Sequence, residues 1–143
     1  MTEMVLPSHT NSLDSVFGGV IMSWIDICAA ISAQRHCARP VVTASIDALD
    51  FHRPAYQGWV ITLKSCVNYV GKTSMEVGVS VEAEHLVKKQ KYKIASAYLT
   101  FVALDDNGKP MAAPPVIPQT EDEKRRFEAA KRRRELRLKH RQA

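Results

Sequence analysis

At 143 residues, with 45% hydrophobic and 24% charged residues, the chain has the size and composition of a single globular domain with its own core. Three scattered cysteines form no CxxC pair and no Cys/His ligand spacing, so we expect neither a disulfide scaffold nor a metal site, and a cytoplasmic location fits best. The net charge of +5 is carried by residues 121–143, where ten Lys and Arg face five acids, which makes an anionic partner plausible at this tail.

We expect neither a secretory leader nor a membrane span. The N-terminal stretch MTEMVLPSHT has no basic region and no long apolar run. No uninterrupted apolar segment reaches the roughly 18 residues that a membrane-spanning helix needs.

A buried helix is predicted after a short leading strand. Residues 17–36, FGGVIMSWIDICAAISAQRH, carry apolar side chains on every face, which is typical of a buried helix. Gly18 and Gly19 stand at its start, with Asp14 or Ser15 available as a cap. One carboxylate, Asp26, interrupts the apolar pattern. It is a candidate catalytic group or a structural acid satisfied by a neighbouring chain.

Four strands are predicted to follow, at residues 41–51, 59–70, 75–85 and 92–104. The second is predicted to place one set of side chains on a common face: Trp59, Ile61, Leu63, Val67 and Tyr69. The third alternates between an apolar face that begins at Met75 and a polar face that begins at Glu76. This order predicts an α+β fold in which a curved antiparallel sheet wraps around one central helix. An open sheet edge would then favour dimerisation.

The chain is predicted to end in a linker and a basic helix. Residues 110–119 are rich in proline, and Thr120 with Glu123 has the spacing of a capping box for a solvent-facing helix. We therefore divide the chain into a body of residues 1–109, a linker of residues 110–119 and a basic C-terminal helix of residues 120–143.

Several blocks, in their order, resemble one enzyme family. LPSHTNSLDSVFGGVIMSWID, VVTASIDALDFHRP, GKTSMEV and TFVALDDNGKP are similar to segments of the hotdog-fold acyl-CoA thioesterases, in the branch of the vertebrate cytosolic acyl-CoA hydrolases and their small bacterial relatives. The strongest part of the match is the fixed spacing of Asn11, Phe17-Gly18-Gly19 and Asp26. One departure is Asp14, where relatives commonly have Gly.

The resemblance implies a hotdog fold and hydrolysis of fatty acyl-CoA to free acid and coenzyme A, with no cofactor beyond the coenzyme A of the substrate. It implies a homodimer, often within a trimer of dimers, whose active site pairs Asn11 of one subunit with Asp26 of the other. Segments that contact coenzyme A in relatives correspond here to Thr43, Ala44, Ser45, Gly71, Lys72, Thr73, Ser74 and Arg134.

The chemistry of these residues suits a thioester. Asp26 can act as a general base for water or as a nucleophile. The N–H groups near Gly19 can stabilise an oxyanion at the positive end of the helix, and Asn11 can either orient the water or donate to the same oxygen. Asp26 lies seven residues beyond Gly19, roughly 10 Å along an ideal helix. Pairing the helix start of one subunit with the acid of another is therefore more natural than a site within one chain.

Two other functions stay open. A non-catalytic acyl-CoA sensor or a nucleic-acid-binding protein would use the basic tail, but the tail has no aromatic residue beyond Phe127 and no helix-turn-helix precedes it. A hotdog hydratase or dehydratase, with His9 as a base, would act on the acyl chain and leave the thioester intact. The signatures of serine and cysteine hydrolases are absent. We expect an acyl-CoA substrate and no nucleic-acid partner.

Overall fold

A five-stranded antiparallel sheet with strand order β1-β3-β4-β5-β2 carries a long helix on each face. The computed structural model describes residues 1–142. Its elements are β1 (Thr2–Met4), a 3-10 turn (Pro7–His9), α1 (Gly18–Cys37), β2 (Val41–Phe51), β3 (Val60–Val70), β4 (Ser74–His85), β5 (Gln90–Ala103) and α2 (Glu121–Gln142). The α+β order predicted from the sequence is confirmed. The division into body, linker and tail helix stays a prediction.

The core lies between α1 and the inner face of the sheet. Ile21 and Ile25 of α1 are fully buried against strand residues such as Leu63, Leu99 and Phe101. Burying an aliphatic or aromatic side chain of this size contributes about 1.5–3 kcal/mol. This face of the helix therefore anchors α1 on the sheet.

The opposite face of α1 stays open in the single chain, which departs from the prediction of a helix buried all round. Met22, Ile27 and Ile31 are 40%, 51% and 39% exposed. The sheet can cover only one side of a helix, so the remaining apolar side needs another covering surface.

The start of α1 also differs from the prediction. Phe17 is the N-cap residue, and no side chain caps the helix. Ser15 is engaged elsewhere, because its N–H and hydroxyl both donate to Asn11 Oδ1. Asp14 lies in the same turn, with a left-handed φ of 59°.

Strand β3 contains a bulge that redirects Tyr69. Val67 pairs with Val77, whereas Tyr69 pairs with Glu76, which leaves Asn68 as the extra residue. A bulge shifts the alternation of side chains by one position. The prediction that Tyr69 shares a face with Ile61, Leu63 and Val67 is therefore wrong, and its ring packs 5.1 Å from that of Phe127 on α2.

Helix α2 lies on the outer face of the sheet and is held there by an ion-pair network. Glu76 of β4 is only 2% exposed, and its Oε1 lies 2.7 Å from Arg133 Nη2 while its Oε2 lies 3.1 Å from Arg137 Nη1. The guanidinium of Arg133 also stacks 3.7 Å from the centroid of the Tyr98 ring. The prediction of a solvent-facing helix is thus wrong for the side that carries these arginines.

The predicted capping box of α2 is confirmed. The Glu123 N–H donates to Thr120 Oγ1 at 3.1 Å, and Glu123 Oε2 accepts from the N–H groups of Gln119 at 2.7 Å and Thr120 at 3.3 Å. The two backbone bonds to Gln119 and Thr120 lower the pKa of Glu123. Within residues 1–142, neither helix is long and apolar enough to cross a membrane.

Candidate active site

Asp26 is bound to the edge strand of the sheet. The Thr43 hydroxyl on β2 donates to Asp26 Oδ1 over 2.6 Å. Asp26 is half-buried, not enclosed, and the exposed Met22 and Ile27 lie on the same helix nearby. Thr43 thus holds the carboxylate at an open apolar surface. From the sequence, Thr43 was expected only to contact coenzyme A. Its bond to Asp26 was not predicted, because no local sequence pattern links two residues that lie 17 positions apart on different elements.

The turn around Asn11 fixes the orientation of its side chain. Asn11 Oδ1 accepts from the N–H of Leu13 at 2.9 Å and from the N–H and hydroxyl of Ser15 at 3.3 and 3.1 Å. Backbone N–H groups only donate, so the oxygen must face them and the amide NH₂ is directed away from the turn. Asn11 therefore offers a hydrogen-bond donor to a group outside its own loop.

Within residues 1–142, no hydrogen bond joins Asn11 to Asp26. Asn11 binds its own turn, and Asp26 binds Thr43. The structure of one chain therefore does not bring together the two residues to which the sequence assigned the chemistry.

Gly19 lies in the first turn of α1, where the N–H groups of Val20 and Ile21 donate to the N-cap carbonyl of Phe17, so that only the N–H groups of Gly18 and Gly19 stay without a helix partner within residues 1–142. A Cβ at Gly19 would come 2.6 Å from a carbon of the Phe17 ring, so the missing side chain leaves room for that ring. His9 supports the same loop, because its Nδ1 accepts from the Leu6 N–H at 3.0 Å and its ring meets Trp24 edge-on. This environment fits a structural role for His9.

Four of the eight residues predicted to contact coenzyme A line one cleft beside α2: Ala44, Thr73, Ser74 and Arg134. A cleft of roughly 200 Å³, which we call the tail cleft, is lined by Ala44, Thr73, Ser74, Thr100, Val102, Arg134, Arg137, Leu138 and Arg141. It brings together the β2 segment, the β3–β4 turn and Arg134, and their contact with coenzyme A stays a prediction. Thr43 is instead turned to Asp26, and Lys72 is exposed in the turn.

Gly71 contributes to the tail cleft by having no side chain. A Cβ there would lie 2.9 Å from Arg134 Nε and 3.1 Å from Arg134 Cζ. The guanidinium therefore rests against the Gly71 backbone.

Three polar residues of the lining were not predicted from the sequence: Thr100, Arg137 and Arg141. The two arginines follow Arg134 at positions i+3 and i+7, a spacing that places all three on one face of a helix and could have revealed them. Thr100 had no such signal. Its hydroxyl is buried and, within residues 1–142, has no hydrogen-bond partner; the same holds for Ser45 Oγ.

The edge strand β2 continues the apolar surface around Asp26. Among residues 1–142, β2 pairs with β5 and with no other strand, and Ile46 on its α1 side is 37% exposed. Together with Met22, Ile27 and Ile31 of α1 it forms what we call the open apolar face. Among residues 1–142, no group of three or more His, Cys, Asp or Glu side chains could hold a metal ion.

Comparisons with known proteins agree with this architecture. The thioesterase superfamily matches residues 13–89. An uncharacterized acyl-CoA thioester hydrolase of Bacillus subtilis is 50% identical over 122 residues, which cover 85% of this chain and 71% of that protein. The cytosolic acyl coenzyme A thioester hydrolase of Mus musculus is 42% identical over 93% of this chain, which spans 35% of that protein.

Solved structures are similar over nearly the whole chain. A hexameric acyl-CoA thioesterase without ligand has a TM-score of 0.94 at 44% identity, and the match covers 98% of this chain and 90% of the thioesterase chain. An acyl-CoA hydrolase from Staphylococcus aureus, in complex with butyryl coenzyme A, coenzyme A and coenzyme A disulfide, has a TM-score of 0.91 at 40% identity. The match covers 99% of this chain and 86% of the hydrolase chain. Variants of that hydrolase carry alanine in place of an aspartate, a threonine or an asparagine.

Proposed function

The chain belongs to the thioesterase superfamily and has its hotdog fold, and on that premise we propose that it hydrolyses fatty acyl-CoA to a free fatty acid and coenzyme A. Membership and fold confirm the resemblance identified in the sequence. The observation that carries the proposal is the Asp26 carboxylate, held by Thr43 at an open apolar face near an arginine-lined cleft. An acyl-CoA has three parts that match these features: an apolar acyl chain for the apolar face, a thioester for the carboxylate and a phosphorylated coenzyme A moiety for the arginines.

Asp26 performs the chemistry in this proposal. The Thr43 bond engages Oδ1, which leaves Oδ2 either to accept a proton from water or to attack the carbonyl carbon. Water, or the carboxylate, adds to the carbonyl and forms an oxyanion, which the N–H groups at the start of α1 near Gly19 would stabilise. Collapse of this intermediate breaks the C–S bond and releases the thiolate of coenzyme A. An anhydride formed by direct attack would then be hydrolysed by water.

Asn11 completes the site from a second subunit. Its amide NH₂ faces away from its own turn, and no bond links it to Asp26 of the same chain within residues 1–142. The open apolar face and the edge strand β2 surround Asp26 and supply a surface for a second copy. We therefore propose a homodimer through this face, assembled as a trimer of dimers. Solved relatives described as hexameric support the larger assembly.

The variants of the Staphylococcus aureus hydrolase support the same three residues. In that protein the replaced asparagine and aspartate are 15 positions apart, and the aspartate and threonine are 17 apart. Asn11, Asp26 and Thr43 have the same two spacings in this chain. The proposal therefore adds Thr43 to the catalytic machinery as the residue that positions Asp26.

The tail cleft is proposed to bind the phosphates of coenzyme A. Arg134 lies against Gly71, and Arg141 lines the same cleft, so two guanidinium groups are available to phosphate oxygens. Arg137 is already paired with Glu76 and lies 3.2 Å from Asp47 Oδ2. No resident cofactor is needed, because coenzyme A enters with the substrate and leaves as product.

We propose the cytoplasm as the compartment of this protein. Its three cysteines are free thiols in the described chain, as expected in a reducing environment. The mammalian relatives are named cytosolic.

Thiol release from acyl-CoAs of short to long chain tests the function. The wild-type protein should release thiol, and Asp26→Asn should lower the rate by at least about a hundredfold. Asp106→Asn is the matched control, because Asp106 forms only an exposed ion pair with Arg39 and should keep the full rate. Full activity of Asp26→Asn would refute the assignment of the residue. No thiol release by a folded dimer would favour a sensor or a hydratase, whose product keeps coenzyme A attached.

A further inference from the structure

A second pocket lies between the outer face of the sheet and α2. Its volume is roughly 360 Å³, and we call it the outer pocket. Its floor is built by neighbouring strands, since Lys64 of β3 pairs with Ser80 of β4, which pairs with Ser96 of β5. Asp26 and α1 belong to the opposite side of the sheet. The outer pocket is therefore separate from the proposed catalytic centre.

Five cationic side chains line the outer pocket, and no acidic residue does: Lys64, Lys93, Arg125, Arg126 and Arg133. Two are paired, Arg133 with the buried Glu76 at 2.7 Å and Arg125 with the exposed Asp122 at 3.7 Å. The other three have no carboxylate within 4 Å in the part of the chain that the structure describes.

The cationic groups of the pocket come from two packed elements. Lys64 and Lys93 come from the sheet, whereas the three arginines come from α2. Like charges repel one another across the space between these elements, and Glu82 opposite Lys93 and Glu123 near Arg126 offset part of this repulsion. An anion in the pocket would neutralise both sides and strengthen the contact between α2 and the sheet.

The remaining polar groups suit a phosphate. The half-buried residues Ser80 and Ser96 line the floor of the pocket with their hydroxyls. Gly78 keeps the floor open beside them, because a Cβ there would come 2.7 Å from Asn68 Nδ2. Hydroxyl, ammonium and guanidinium groups are the donors that phosphate oxygens accept most strongly.

We infer that the outer pocket binds an anion carrying two or more phosphate charges, at a position distinct from the tail cleft. The expected ligand is a free polyphosphate ester, because the phosphates of coenzyme A are assigned to the tail cleft. The inference does not depend on the proposed hydrolysis.

Binding of inorganic tripolyphosphate to the full-length protein, followed by calorimetry, tests the inference. With coenzyme A present at saturation, we expect tripolyphosphate to bind at one site per chain. The double variant Lys64→Gln/Arg126→Gln should lower its affinity at least about tenfold, because two charged hydrogen-bond donors are lost. The matched double variant Lys88→Gln/Arg132→Gln removes the same charge from exposed positions outside the pocket and should change the affinity less than about twofold.

Thermal unfolding supplies a second readout on the same proteins. Tripolyphosphate should raise the Tm of the wild type and of the control but not of the pocket variant, which is expected to fold because neither replaced side chain forms an ion pair within 4 Å in residues 1–142. Equal loss of affinity in both double variants would overturn the inference, since diffuse surface charge would then explain binding. It would also fall if tripolyphosphate fails to bind, or if saturating coenzyme A or Arg134→Gln abolishes the binding.

Discussion

The guanidinium of Arg134 occupies the space that a side chain at Gly71 would need, with Nε 2.9 Å from the position of a Cβ. Gly71→Ala should therefore displace Arg134 and raise the KM for acyl-CoA about five- to tenfold, with little change in kcat. Steady-state kinetics measure the effect. In an Arg134→Gln background the same substitution should have no further effect. A fall in kcat at unchanged KM would contradict the contact.

Thr43 is expected to act on the rate through Asp26. Thr43→Val removes the 2.6 Å hydrogen bond to the carboxylate while keeping the shape of the side chain, and kcat should fall about ten- to a hundredfold. Thr43→Ser retains a hydroxyl and is expected to recover most of the rate. If Thr43→Val changed only KM, its role would lie in binding coenzyme A and not in positioning Asp26.

Thr100 offers a case in which stability and binding should change in opposite directions. Its hydroxyl is buried and, within residues 1–142, unpaired, so Thr100→Val should keep or raise the free energy of unfolding. If the hydroxyl serves a ligand in the tail cleft, KM for acyl-CoA should rise about fivefold. Thr62→Val on β3, outside the tail cleft, is the control for KM. An unchanged KM in Thr100→Val would leave the hydroxyl without a role in binding.

Asp14 adopts a left-handed φ of 59°, a conformation that Gly adopts without strain and that Asp tolerates. Asp14→Ala should lower the free energy of unfolding by about 1 kcal/mol, because alanine lacks the tolerance of Asp and Gly for this conformation. Asp14→Gly should preserve or raise it. Urea denaturation of the three proteins gives the comparison, and equal stability of the Ala and Gly variants would show that the turn changes conformation.

Glu123 should make the end of α2 sensitive to acid. Backbone bonds to Gln119 and Thr120 hold the pKa of Glu123 below its ordinary value. Its stabilising contribution is therefore present above the pKa of the unfolded chain and is lost as the pH falls through the lower pKa of the folded chain. Circular dichroism should show a loss of helix over this acidic range that Glu123→Gln lacks and that Glu128→Gln retains. The same acid profile in all three proteins would contradict the capping contribution.

The strands were largely predictable, because their patterns are local. The boundaries of β2 match the predicted residues 41–51, and the burial of Met75 and Val77 on β4 follows the alternation of the sequence. Tyr69 was misassigned because a single extra residue in β3 reverses every later side chain in the strand.

The site was less predictable, because its contacts join distant parts of the chain. Glu76 meets Arg133 over a separation of 57 residues, and a charged helix read by itself gives no indication that some of its arginines have buried partners. The bond between Asp26 and Thr43 likewise depends on how α1 packs beside β2. The roles expected for Asn11, Asp26 and the segments that contact coenzyme A came from the family resemblance. The periodicity of the sequence does not indicate them.

The buried Glu76 has an evolutionary consequence for the C-terminal tail. Removing one partner of a buried ion pair costs about 3–5 kcal/mol, a large share of the roughly 5–15 kcal/mol that stabilises a typical domain. Replacing Arg133 alone would leave the buried carboxylate of Glu76 without its nearest cationic partner. Replacing Glu76 alone would leave Arg133 and Arg137 without their shared carboxylate. Positions 76 and 133 are therefore expected to covary among descendants of this chain, so that the sheet and the tail are inherited as a matched pair.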